Sequence, residues 1–233
     1  MKKRIVKKIE IFEKLTKEDF EILRNLARFG PANVYELSEK RKIVSDGKAA
    51  SGLKKLETLG LVKSGEVGPR GSTPYYLTFK GLCYLLHLGY IQPDEGLTAW
   101  EENKISFPRS EIKLESLSDQ QREEVFKVLD KLEGFVLKAM PTEFFKALSR
   151  LNPKEIEEMD VGSLNVIVWS TLVDTLKREN LKEVFAERKD KVKEALKDLL
   201  VLNTFNGVTK ATDILTKTLK TYVKSLSKAV KKL

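Results

Sequence analysis

Apolar residues recur at helical spacing along most of this 233-residue chain, and a few Gly, Pro and capping positions mark where the pattern stops. The first 15 residues are ambiguous: Ile5, Ile9 and Phe12 fit a helix, while Ile9 and Ile11 also fit strand alternation. Thr16-x-x-Asp19 has the form of a capping box, and Phe20, Leu23, Leu26 and Ala27 form an apolar stripe that ends at Gly30-Pro31. Asn33-x-x-Glu36 opens a second, short helix with Val34 and Leu37 inward and a charged end, Glu39-Lys40-Arg41-Lys42. Ser45 or Asp46 caps a third helix that runs to Leu59 and stops at Gly60. Two strand-like runs follow, at 61–64 and 75–78, around a loop rich in Gly and Pro. Thr78 then caps a fourth helix over about 79–88.

The stretch 92–117 has no sustained period and reads as a linker or irregular connection. Beyond it the chain is helical throughout. Ser118-x-x-Gln121 starts a helix carrying Val125, Phe126, Leu129, Leu132, Phe135 and Val136 and ending at Pro141, followed by a shorter one over 142–151. Asn152-Pro153-x-Glu155 is a further start, with Pro at the first helical position. The most apolar helix spans 163–179, with Trp169 in its core, and helices over 181–202 and from about 204 to the end complete the set. The expected fold is mainly α. An N-terminal domain (1–91) holds three helices with a two- or three-stranded β-wing, 92–117 connects, and an all-α domain (118–233) ends in a long helix.

Composition narrows the functional classes. Apolar residues make up 41% of the chain, enough for a real core, and no apolar run approaches the roughly 18–20 residues a membrane span needs. The N-terminus is basic but interleaved with acidic and apolar residues, so it does not read as a signal peptide. The lone Cys83 excludes an internal disulfide and fits a reducing cytoplasm. A net charge of +9 favours a polyanionic partner. The excess leans toward residues 1–100, where 18 Lys and Arg face 12 Asp and Glu, against 25 and 22 in the remainder. One His, one Cys and no phosphate-loop glycine pattern leave little for catalysis, so neither an enzyme nor a cofactor is expected.

The order helix, helix, helix, strand, Gly-rich loop, strand, helix resembles the winged helix-turn-helix regulators of the MarR/ArsR type found in bacteria and archaea. The resemblance covers about a third of the chain. It is carried most clearly by Leu53-Lys54-Lys55-Leu56-Glu57-Thr58-Leu59-Gly60-Leu61-Val62, a recognition-helix end running into a wing strand. It implies a dimer on double-stranded DNA, with the helix at 45–59 in the major groove and the loop at 65–74 on backbone or minor groove. At 100° per residue Ala49, Leu53 and Leu56 share the inward face of that helix, and Gly47, Lys48, Ser51, Lys54 and Lys55 lie opposite. Lysines between small residues suit a surface that approaches a phosphate backbone closely. The face lacks Arg, Asn and Gln, so backbone attraction is expected to outweigh base reading. Arg70, placed by the resemblance near the wing tip, and Ser72 extend the expected contact.

Other signals point to packing or assembly. Cys83 and His87 lie four apart on the fourth helix among leucines, a setting that favours core packing over a metal site. Trp169 is expected in the core, and Trp100, in the connection, is expected to pack between domains. On the last helix Leu215, Leu219, Tyr222 and Leu226 follow steps of four and three, a heptad seam ~40 Å long from Val208. Dimerisation is the preferred reading for it, with packing back on its own domain or tracking DNA backbone as the others. A small-molecule effector or a protein partner is the further role open to this half. Location in the cytoplasm on the nucleoid follows from the DNA reading. The alternatives to a transcription regulator are a winged-helix protein-interaction module and a DNA-binding protein of replication, partition or chromatin.

Overall fold

The computed structural model describes residues 15–68, 71–108, 118–160, 163–164, 166–168 and 170–171. Over these the protein is mainly helical, with one small antiparallel sheet. Local sequence accounts for most element starts. Helix α1 (Lys17–Phe29) begins at a complete capping box: the Thr16 hydroxyl accepts from the Asp19 amide, and the Asp19 carboxylate accepts from the Thr16 amide at 2.7 Å. The second start behaves alike, since the Asn33 and Glu36 side chains accept each other's backbone N–H at 2.9 and 3.1 Å. That segment nevertheless widens to a π-helical turn, α2 (Glu36–Lys40), closed by Arg41 N–H donating to the Glu36 carbonyl. Helix α3 (Asp46–Thr58) follows, and the chain leaves it at Gly60 with φ +70°, a left-handed step that glycine makes without strain.

Strands β1 (Val62–Ser64) and β2 (Tyr75–Leu77) pair antiparallel, with Val62 opposite Leu77 and Ser64 opposite Tyr75. Ala32 adds a single bridge to the other edge of β2, exchanging both backbone hydrogen bonds with Tyr75. Helix α4 (Phe79–His87) starts where the Thr78 hydroxyl accepts from the Gly81 amide. Cys83 lies fully buried in that helix, as core packing requires, and His87 is half-buried at its last turn.

The chain departs from expectation over 92–108, the described part of the connection. Within it, helix α5 (Gly96–Glu102) forms, and Trp100, Ile105 and Phe107 are buried in the core. Seven residues make under two turns, too short for a period to register in sequence. The burial is extensive. Trp100 meets Phe79, Phe107 and Phe144 edge-on at centroid distances of 5.7 to 6.2 Å. A Cβ on Gly96 would run into the Phe145 ring, so the close approach of α5 depends on glycine there. Asn103, fully buried, joins three segments. Its carbonyl oxygen accepts from the Leu77 amide, and its amide group donates to the Leu26 and Ala99 carbonyls. Buried without these bonds, the side chain would cost about 1–3 kcal/mol.

Helix α6 (Asp119–Ala139) buries Val125, Leu129, Leu132 and Val136 at the expected spacing. The helix ends before Pro141 as expected, and Pro141 is itself the first residue of α7 (Pro141–Ser149), where its missing N–H costs no helical bond. Helix α8 (Pro153–Glu157) opens on the capping box of Asn152 and Glu155. Helices α7 and α8 pack on α4, and α7 also packs on α5, so the core runs without interruption from Ile22 to Val168. The described part of the helical half therefore shares a core with the first half. Trp169, the helices expected beyond 171 and residues 1–14 lie outside the described residues.

Candidate nucleic-acid interface

Helix α3 is positioned by three contacts. Its inner face buries Ala49, Leu53 and Leu56 completely. Gly52 faces α1, where a Cβ would press on the Ile22 methyl, so the two helices approach closely at that point. At the start of α3, the buried Ser38 hydroxyl donates to the Asp46 carboxylate at 3.3 Å. The turn between α2 and α3 is braced from the side. Arg41, part of the charged end, donates to the Asn25 side chain at 2.7 Å and to the Phe29, Gly30 and Pro31 carbonyls. Those carbonyls sit at the C-terminal end of α1, where a cation is electrostatically favoured. The neighbouring Lys42 takes φ +52° to make the turn.

The outward strip of α3 consists of Gly47, Ser51, Lys54 and Thr58, all exposed. A Cβ added at Gly47 would meet nothing within 4 Å. The Ser51 hydroxyl donates to the Gly47 carbonyl and the Thr58 hydroxyl to the Lys54 carbonyl, so both polar groups bond within their own helix. Lys48 and Lys55 flank the strip on the side toward α1, and each meets a carboxylate of the first turn of α1. Lys48 Nζ lies 2.6 Å from Glu18 Oε1, and Lys55 Nζ lies 2.6 Å from Asp19 Oδ2.

The two pairs are not equivalent. Lys48 and Glu18 keep 62% and 43% of their side-chain surface in water, whereas Asp19 keeps 5%. The hydrogen bond from Lys48 is the main cause that holds the Glu18 carboxyl below its ordinary range. Asp19 accepts from both Lys55 and the Thr16 backbone, so it is part of the framework joining α1 to α3. Sequence reasoning put both lysines on one open face; the fold gives Lys55 a structural tie.

Strand β1, which packs against α3, carries the exposed Lys63, which the sequence reading did not single out although alternation along the strand points it outward. The described parts of the connecting loop are joined by their own backbone. Gly65 N–H donates to the Pro74 carbonyl at 2.7 Å, Gly68 N–H to the Ser72 carbonyl at 2.7 Å, and Gly71 N–H to the Gly68 carbonyl. Ser72 is half-buried at the base of this turn. Val67 stands 69% exposed at its outer side. Arg70, and the candidate dimer residues Leu215, Leu219, Tyr222 and Leu226, lie outside the described residues.

The far end of α3 is tied to the helical half. Lys80 donates to the Leu59 carbonyl at 3.0 Å and pairs with Glu157 of α8 at 2.7 Å; Tyr84 donates to the same Glu157 oxygen at 2.6 Å. Burial first, and then the bond to Glu157, push the Tyr84 phenol up from its ordinary value. Among the described residues, no group of three or more His, Cys, Asp or Glu is placed to hold a metal ion, and no helix is long and apolar enough to cross a membrane. No family model matches this chain, and neither a curated protein nor a solved structure does.

Proposed function

We propose that the protein is a winged-helix protein that binds double-stranded DNA, acting as a dimeric transcription regulator. In this reading α3 enters the major groove while the β1–β2 loop lies along the backbone. The observation that carries the reading is the outward strip of α3. Gly47, Ser51, Lys54 and Thr58 leave a helix ~20 Å long with small or cationic side chains and, among the described residues, nothing within 4 Å of a Cβ at Gly47. Lys63 supports it as a further exposed cation, on a strand that packs against α3. Lysine and hydroxyl groups favour phosphate contacts, so modest sequence selectivity goes with this surface. Dimerisation through Leu215, Leu219, Tyr222 and Leu226 belongs to the same proposal, as does a MarR/ArsR-type relationship.

The test is duplex binding across salt for the wild type and for K54A/K63A. Each lost phosphate contact reduces the slope of log K against log salt by about 0.9. A salt-independent affinity, or one unchanged in the double variant, overturns the proposal. The second reading, a protein-interaction module, draws on Phe29 and Tyr35, which leave 64% and 59% of their surface in water. Capture of a defined protein by a chain that does not bind duplex would favour it.

A further inference from the structure

The exposed pair between α1 and α3 has a consequence for affinity. Lys48 is the cation nearest the outward strip that already has an anionic partner in the open: its ammonium lies 2.6 Å from Glu18 Oε1, and both side chains face water. A carboxylate oxygen at that distance satisfies the same donor, with the same charge, that a phosphate oxygen of a nucleic-acid backbone would. Lys48 cannot give its full charge to both. The neighbouring pair shows the contrast. Asp19 is nearly enclosed and also accepts from the Thr16 backbone, so Lys55 cannot leave it without stranding a buried carboxylate. Glu18 differs in exposure: it also accepts from its own backbone amide and the Thr16 side chain, but released from Lys48 it keeps those bonds and stands in water, so exchange costs only what an exposed pair is worth.

We propose that Glu18 is a built-in competitor for the nucleic-acid phosphate, holding Lys48 in the free protein and yielding it on binding, so that the first turn of α1 sets the affinity of the α3 face. This rests on the DNA reading above. Removal of Glu18 then strengthens binding, and it does so only through Lys48.

A double-mutant cycle tests it. Wild type, E18Q, K48A and E18Q/K48A are titrated with one duplex at fixed ionic strength, after their denaturation midpoints are found equal. E18Q is expected to bind about two- to fivefold more tightly than wild type, the range an exposed pair implies. In the K48A background the same change is expected to have no effect. Equal affinity of E18Q and wild type overturns the proposal. An equal gain in both backgrounds also overturns it, because Glu18 would then act only through the general field; in both cases the DNA reading stands. If none of the four proteins binds duplex at low salt, the DNA reading fails and takes the proposal with it.

Discussion

Helices α3 and α5 lie in the same half of the protein and are used in opposite ways. Around α5 the inward side chains are claimed by packing: Trp100 is enclosed by Phe79, Phe107 and Phe144, and Gly96 sits against Phe145. On the outer strip of α3 the fold demands almost nothing. Gly47 faces open space, and Ser51 and Thr58 bond only along their own helix. A surface on which the fold makes no claim is free to be shaped by a partner, whereas a helix like α5 is fixed by its neighbours. The contrast separates what stability requires from what binding requires.

The most severe way to test that contrast is Trp100→Ala. Truncating a buried aromatic side chain costs about 3–5 kcal/mol, read as a shift in chemical denaturation. A loss under about 1 kcal/mol would return residues 92–108 to the status of a connection. Next, Lys55→Ala removes the partner of a nearly buried carboxylate and is expected to cost about 1–3 kcal/mol. Lys48→Ala, by comparison, should leave the denaturation midpoint in place. If the two lysines behave alike, the distinction between framework and open face is lost.

Gly47→Glu probes the opposite side. Among the described residues an added Cβ meets nothing within 4 Å, and glutamate is the better helix former, so thermal stability is not expected to fall, while duplex affinity falls about tenfold or more from a carboxylate placed among phosphates. Unaltered binding would remove α3 from the interface.

The smallest expected effect is on alkaline stability. Burial pushes up both the Cys83 thiol, ordinarily 9.0, and the Tyr84 phenol, ordinarily 10.0. In the folded chain both groups keep their protons after the unfolded chain has begun to lose them. Their contribution is therefore complete below about pH 9 and declines as pH rises beyond it. Melting temperature measured from pH 8 upward should fall less steeply in Tyr84→Phe than in wild type; identical slopes would show that Tyr84 does not take part.

Much of this architecture was legible in the residues alone. The capping boxes at Thr16, Asn33 and Asn152, the stop at Gly60, the hairpin runs and the buried stripe of α3 each depend on groups at most a few positions apart. Spacing along the chain is enough to specify such interactions. The features that eluded it join distant segments. Arg41 braces carbonyls ten to twelve positions earlier, and Lys48 reaches Glu18 across thirty. Asn103 ties α1 and β2 to α5, and Lys80 and Tyr84 meet Glu157. Nothing periodic announces a contact of that kind.

The sequence by itself determined where helices start and stop, which faces are apolar, and that one face of α3 carries Gly47, Lys48, Ser51, Lys54 and Lys55. Those properties follow from local hydrogen bonding and from the 3.6-residue period. Folding added that Lys55 belongs to the framework, that Lys48 shares its charge with Glu18, and that α5 is core. The physical reason is that burial and charge pairing are properties of neighbours in space. A lysine's role depends on how much water its carboxylate keeps, and that is settled only when α1 and α3 come together.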